Sequence, residues 1–205
     1  MWTISGHRDN ARPVMISLAE AHRALYGAGL LARFNSDGFL ALGNDRQAAV
    51  RSFYAAVIVA PMYLMWIALY GQPHPENTPF LSILLFEILA YAAGWMIFPL
   101  VMWQMSNVLG CRDNYFRFLT AYNWAAVIQN ALFMGMDLIF WLIGAPDGAR
   151  GFFGLILLVY VLLYGWFVAK NGLGLAAGPA VTVVALDLII ALFWEMITDG
   201  MVIAP

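Results

Sequence analysis

Charge is what this sequence has least of. Asp, Glu, Lys and Arg make up 11% of the 205 residues, against about 25% in a soluble domain. That scarcity excludes an ordinary water-soluble fold, whose apolar residues lie in stripes between charged faces. Cysteine is nearly absent as well. Cys111 stands alone, which excludes an intrachain disulfide and any thiolate metal cluster. The three histidines, His7, His22 and His74, lie too far apart to form a local metal motif. No serine stands in a nucleophile elbow, and no glycine-rich phosphate loop follows a strand. With a net charge of −2, nothing points to nucleic acid. These absences argue against an enzyme, and no catalytic residue, cofactor or metal is expected. A cleavable signal peptide is also not expected: residues 1–51 hold Arg8, Arg12, Arg23, Arg33, Arg46 and Arg51 without an apolar core segment of the right kind. The first hydrophobic span is expected to target the chain.

What the chain has is apolar bulk in long blocks, with 63% hydrophobic residues. A membrane span needs about 20 consecutive apolar residues. Backbone amides inside a bilayer have no water to bond, so such blocks must be helical. The reading is an all-α, polytopic transmembrane bundle of five spans, at about 52–70, 80–105, 118–144, 151–169 and 177–197, forming a domain over 51–205. Residues 1–50 are read as a cytoplasmic, interfacial N-terminal arm. Pro13 to Phe34 reads as an amphipathic helix on the membrane surface, with packing on the ends of the spans as the alternative. Asn35-Ser36-Asp37-Gly38 is a turn by its chemistry, Phe39 to Leu42 is placed against the membrane, and Asn44 is the expected cap of the first span's helix. Pro99 is a candidate kink in the second span. Gly174 and Gly178 form a GxxxG pair at the start of the fifth span, suited to close helix approach. Tyr70, Trp103, Tyr122 and Trp141 suit interfacial belts.

Lysines and arginines set orientation. The six arginines of the arm, Arg112 and Arg117 between spans two and three, and Lys170 after span four all fall on one side; Arg150 alone falls on the other. The expected topology has the N-terminus in the cytoplasm and the C-terminus outside, in a membrane of bacterial inner-membrane type.

Four carboxyls lie within spans: Glu87, Asp137, Asp187 and Glu195. Each costs about 2.5 to 3.5 kcal/mol at a helix centre, and no lysine or arginine shares a span with them. They should face the bundle interior or a wet cavity. Asp187 falls near the midplane and the other three in the outer half, an arrangement that fits either an outward-facing polar vestibule or carboxyls reaching the outer headgroups. Asn123, Asn130 and Asp137 are seven residues apart in turn, so they stripe one face of span three with a drift of about 20° per heptad. One account makes the stripe glue between helices, at about 0.6 kcal/mol per bond; the other makes it a path for protons or a polar substrate. Asp187 has Asn130 as a candidate partner. Asp147-Gly148-Ala149-Arg150 matches only a fragment of the CDP-alcohol phosphatidyltransferase signature, without its further metal-holding aspartates.

A polar cytoplasmic N-terminus followed by five closely spaced spans, and the run from Asp37-Gly38-Phe39 to Arg51-Ser52-Phe53-Tyr54-Ala55-Ala56, resemble bacterial relatives of the YIP family, the Ypt/Rab-interacting membrane proteins. The Asp-Leu-Tyr-Gly-Pro signature of the eukaryotic members is absent, so the resemblance implies no GTPase partner. It implies a non-enzymatic membrane protein with an organising, trafficking or accessory role. The expected partners are the lipid bilayer, other membrane proteins or further copies of the chain. The alternative is a small oligomeric transporter or channel, proton-linked through Glu87, Asp137 and Asp187, with Asn123 and Asn130 along the same path.

Overall fold

The computed structural model describes residues 16–70 and 79–203, and the side chains of all of these except 68–70 and 199–203. Every described element is helical. Three short helices, α1 (Leu18–Ala32), α2 (Gly38–Ala41) and α3 (Arg46–Ser52), lead into five long ones: α4 (Tyr54–Tyr70), α5 (Phe80–Val108), α6 (Tyr115–Leu142), α7 (Asp147–Leu173) and α8 (Ala177–Ile203). A single 3-10 turn, Arg112–Asn114, joins α5 to α6. Five helical stretches are long and apolar enough to cross a membrane: Arg46–Ile67, which runs through α3 and α4, and the four helices from α5 to α8. Leu81, Leu89 and Val159 are among the many apolar side chains left more than half exposed, which a bilayer would cover. The chain is an integral membrane protein.

The capping chemistry differs from expectation by one residue at the first span. Asp45, not Asn44, caps α3, accepting a 2.7 Å bond from the Ala48 amide. Ser17 caps α1 by accepting from the Glu20 amide at 3.1 Å. The far end of α1 closes in a Schellman pattern: the Asn35 amide donates to the Leu30 carbonyl and that of Phe34 to the Leu31 carbonyl. Phe34 takes the left-handed position, at φ 57°, where glycine is usual. Its ring packs edge-on against Tyr160 and Phe167, with centroids 6.1 and 5.6 Å away, and these contacts offset the strain.

The GxxxG expectation fails for the same conformational reason. Gly174 ends α7 in the left-handed region, at φ 71°, so it shares no helix face with Gly178. Close approach occurs elsewhere. A Cβ on Gly172 would lie 3.2 Å from the Phe118 Cα, and one on Gly27 would lie 2.8 Å from the Gly38 carbonyl.

From residue 16 on, the arm is part of the bundle, not a raft on its surface; the expected helix start at Pro13 lies outside the described residues. α1 packs on α2, α6 and α7, burying Ala24, Ala28 and Leu31 in the same core as Phe118, Trp124 and Tyr164. Of the stretch expected against the membrane, Phe39 and Leu42 are buried in that core instead, while Leu40 is exposed. The Tyr164 hydroxyl donates to the Ala28 carbonyl at 2.8 Å, and the Tyr160 hydroxyl to the Ala32 carbonyl at 2.6 Å. The latter satisfies one of the carbonyls that a helix C-terminus leaves without an internal partner. An ion pair, Arg51 to Glu20 at 2.8 Å, ties α3 to α1. α6 is the central helix, in contact with α1, α3, α4, α5 and α7.

Candidate functional site

At the end of the bundle bearing Arg46, Arg112, Arg117 and Lys170, side chains fill the space between helices. The guanidinium of Arg112 lies 3.9 Å from the Trp103 ring centre and that of Arg117 lies 4.5 Å from the Phe39 ring centre. Asn114 donates to the Leu173 carbonyl at 2.9 Å and so caps α7. One helical turn further in, Phe98, Phe118 and Tyr122 form an aromatic plug, with ring centres 4.7 to 6.3 Å apart.

Beyond the plug the helices separate. A cavity of about 690 Å³ opens between α4, α5, α6 and α8. Its lining runs along α8 from Asp187 to Thr198, about 16 Å at a helical rise of about 1.5 Å per residue. It extends away from the basic end. α5 packs on α8, where a Cβ on Gly94 would come 3.3 Å from Trp194 Nε1. It reaches α4 through long side chains: the Tyr91 hydroxyl donates to the Ala56 carbonyl at 2.6 Å, and the Tyr63 and Tyr91 rings lie 4.8 Å apart.

Three of the four span carboxyls line this chamber: Glu87, Asp187 and Glu195. The Tyr63 hydroxyl donates to Glu87 Oε2 at 2.7 Å, and the Tyr122 hydroxyl to Asp187 Oδ1 at 2.9 Å. The other oxygen of each of these two carboxylates has no hydrogen-bond partner among the described residues. Among the described residues, no lysine, arginine or histidine lines the chamber. Tyr91, Trp95 and Trp194 supply aromatic surface, and Gln129 and Asn130 supply amides. The carboxyls are distributed around the walls: among the described residues no three His, Cys, Asp or Glu side chains gather closely enough to hold one metal ion.

The stripe on span three divides by depth. Asn123 is fully buried and donates to the Ser52 hydroxyl at 2.8 Å, which in turn donates to the Ala49 carbonyl. This is the glue geometry, joining α6 to α3. The Asn123 Oδ1 has no partner among the described residues. Asn130 lines the chamber and bonds its own helix, at the Ala126 carbonyl. Asp137 lies outside the lining. The partner of Asp187 is Tyr122, not Asn130. Tyr122 is therefore a residue of the bundle interior, seven residues into α6, and no part of an interfacial belt. Trp141 is exposed near the far end of α6, as a belt residue would be. Tyr70, His7 and His74 lie outside the described side chains.

Sequence reasoning did not single out Tyr63, Tyr91, Tyr160 or Tyr164. For Tyr91 and Tyr160 the signal is depth: each lies more than two turns from either end of its expected span, too deep for a headgroup belt, and a buried hydroxyl needs a partner within the protein. Tyr63 and Tyr164 lie nearer an expected span end and carry no such signal. Comparison with protein-family models, with curated proteins and with solved structures returns no match.

Proposed function

We propose that this chain is a non-enzymatic, solute-handling membrane protein that admits a small molecule to the chamber on its way across the bilayer. One observation carries the reading. Carboxyls and amides from three spans converge on a cavity of about 690 Å³, inside a part of the chain where a polar side chain is costly unless it has a use or a partner. Packing alone would leave that volume to apolar side chains. Phe98 and Tyr122 line the chamber on its side toward the basic end, so passage to that end would require these rings to move apart. The lysine and arginine bias supports an arm in the cytoplasm of a bacterial cell and a chamber facing outward.

The test is flux. Proteoliposomes loaded with a low-molecular-weight cell extract should lose a defined subset of solutes faster than protein-free vesicles, read by mass spectrometry. Asp187→Asn should remove that difference while leaving the detergent-extracted chain folded. Loss of no solute, or the same loss from the variant, would sink the reading.

A second reading keeps the organising role that the YIP-like layout suggests. It is favoured by the docked arm, which leaves Arg23, Arg33 and Arg46 exposed on the basic end, where each would gain about 1 kcal/mol near anionic headgroups. Vesicles with and without anionic lipid should then differ in co-purifying protein or in bound lipid; identical profiles would rule out the lipid part.

A further inference from the structure

We infer that the chamber selects organic cations with an apolar or aromatic body. The inference rests on reading the chamber as a solute site, and it names the class of solute. Three features of the walls carry it together.

The first is charge without compensation. Glu87, Asp187 and Glu195 line the space and, among the described residues, no basic side chain does. A wall of one sign in a low-dielectric setting focuses its field into the cavity and concentrates the opposite charge there. Tyrosine hydroxyls hold one oxygen of Glu87 and one of Asp187, which fixes the carboxylates in place; among the described residues the second oxygen of each has no partner and can face an incoming cation. An anion would meet three carboxyls of its own sign.

The second is aromatic surface on the same walls. Tyr91, Trp95 and Trp194 line the chamber. A ring face attracts a cation within about 6 Å and gains when the pair is desolvated. Carboxylate and ring surface together suit an ammonium or phosphonium carried on hydrocarbon better than they suit a hydrated ion. A bare inorganic cation asks for about six oxygen ligands at short range, and among the described residues no three carboxyls come together.

The third is size. About 690 Å³ lies within the roughly 300 to 1,000 Å³ of sites that enclose drug-sized molecules, and far exceeds what a proton or metal ion requires.

The experiment uses the full chain, purified in mild detergent, and two probes of the same shape and opposite charge. Tetraphenylphosphonium and tetraphenylborate are each titrated by equilibrium dialysis. The cation should bind saturably and be displaced by benzyltrimethylammonium; the anion should show no saturable binding. The double variant Glu87→Gln with Asp187→Asn should bind the cation at least tenfold more weakly. Glu195→Gln, at an exposed position, guards against misfolding of the double variant and should weaken the cation by a smaller factor. Equal binding of both probes would show an apolar slot that ignores charge and would overturn the inference. So would cation binding unchanged by all the variants, or no saturable cation binding at all. The two readings fail separately. Saturable cation binding with no solute flux defeats passage and leaves the selectivity standing. Flux of neutral or anionic solutes without cation binding does the reverse.

Discussion

The two ends of this bundle are built from the same helices and differ in what lies between them. At the basic end α6 is packed on several sides, and Phe118, Ala121, Trp124 and Ala125 are almost fully buried. At the other end the same helix offers Gln129 and Asn130 to a cavity. The difference comes from the arm. Lipid is as apolar as leucine, so spans gain little from hiding apolar side chains from it; they associate through close packing and hydrogen bonds. Five long helices leave space between them. At the basic end α1, α2 and α3 fill that space and bring their own bonding partners, Ala28, Ala32 and Ser52. Among the described residues nothing equivalent fills the other end, and there the polar side chains collect. One end stabilises the fold, and the other is free to bind.

That division can be broken or sharpened by substitution. The largest effect should come from Gly38→Val, because even the first carbon of a side chain there would collide with the Gly27 carbonyl and the Leu31 side chain. A cost of about 3 kcal/mol should lower the melting temperature in detergent and expose the arm to protease; an intact, protected arm would show that it is not held by this contact. Asn123→Ala follows. It strips the buried Ser52 hydroxyl of its donor and should cost about 2 kcal/mol, read by thermal unfolding. Tyr164→Phe removes one bond to α1 and should cost about 1 kcal/mol. Glu87→Gln, at the other end, should change stability by no more than about 0.5 kcal/mol while abolishing solute loss from vesicles. If it destabilises as much as Asn123→Ala, both ends are structural and the contrast collapses. The smallest effect concerns Cys111, buried beside the 3-10 turn. Burial pushes its thiol pKa up. Thiolate is the reactive form, so at any given pH near neutrality less of it is present, and maleimide labelling should be slower than for a free cysteine, rising at higher pH. Fast labelling at pH 7 would show that this corner is looser than the packing implies.

Much of the fold was legible in the residues. The five apolar blocks gave the spans, because backbone satisfaction in a bilayer leaves helices as the only choice for such runs. Turn chemistry put Asn35 where its Oδ1 accepts from the Asp37 amide at 2.9 Å. The docking of the arm was open, because Ala24, Ala28 and Ala32 are small residues whose burial depends on a partner 100 residues and more away. The site was half legible. That Glu87 and Asp187 were candidates followed from their cost; that they share one chamber with Glu195 follows from helix rotation and tilt, which packing decides. The heptad spacing of Asn123, Asn130 and Asp137 fixed a common face. What each meets changes along the bundle, since α6 passes from contact with α3 to the edge of the cavity.

The tyrosine bonds between α7 and α1 also set a calendar for synthesis. The Arg51–Glu20 pair spans 31 residues and can close while the first span is being made. The Ser52–Asn123 bond, across 71 residues, waits for α6. Tyr160 and Tyr164 reach back across 128 and 136 residues, so the carbonyls of Ala28 and Ala32 have no tyrosine to meet until the fourth span has left the ribosome. A chain halted before α7 could still pack its arm on α2 and α6, but it would lack both tyrosine bonds and the α7 side of that contact. The fourth span, which contributes no side chain to the chamber, is thus the one whose arrival completes the nascent arm.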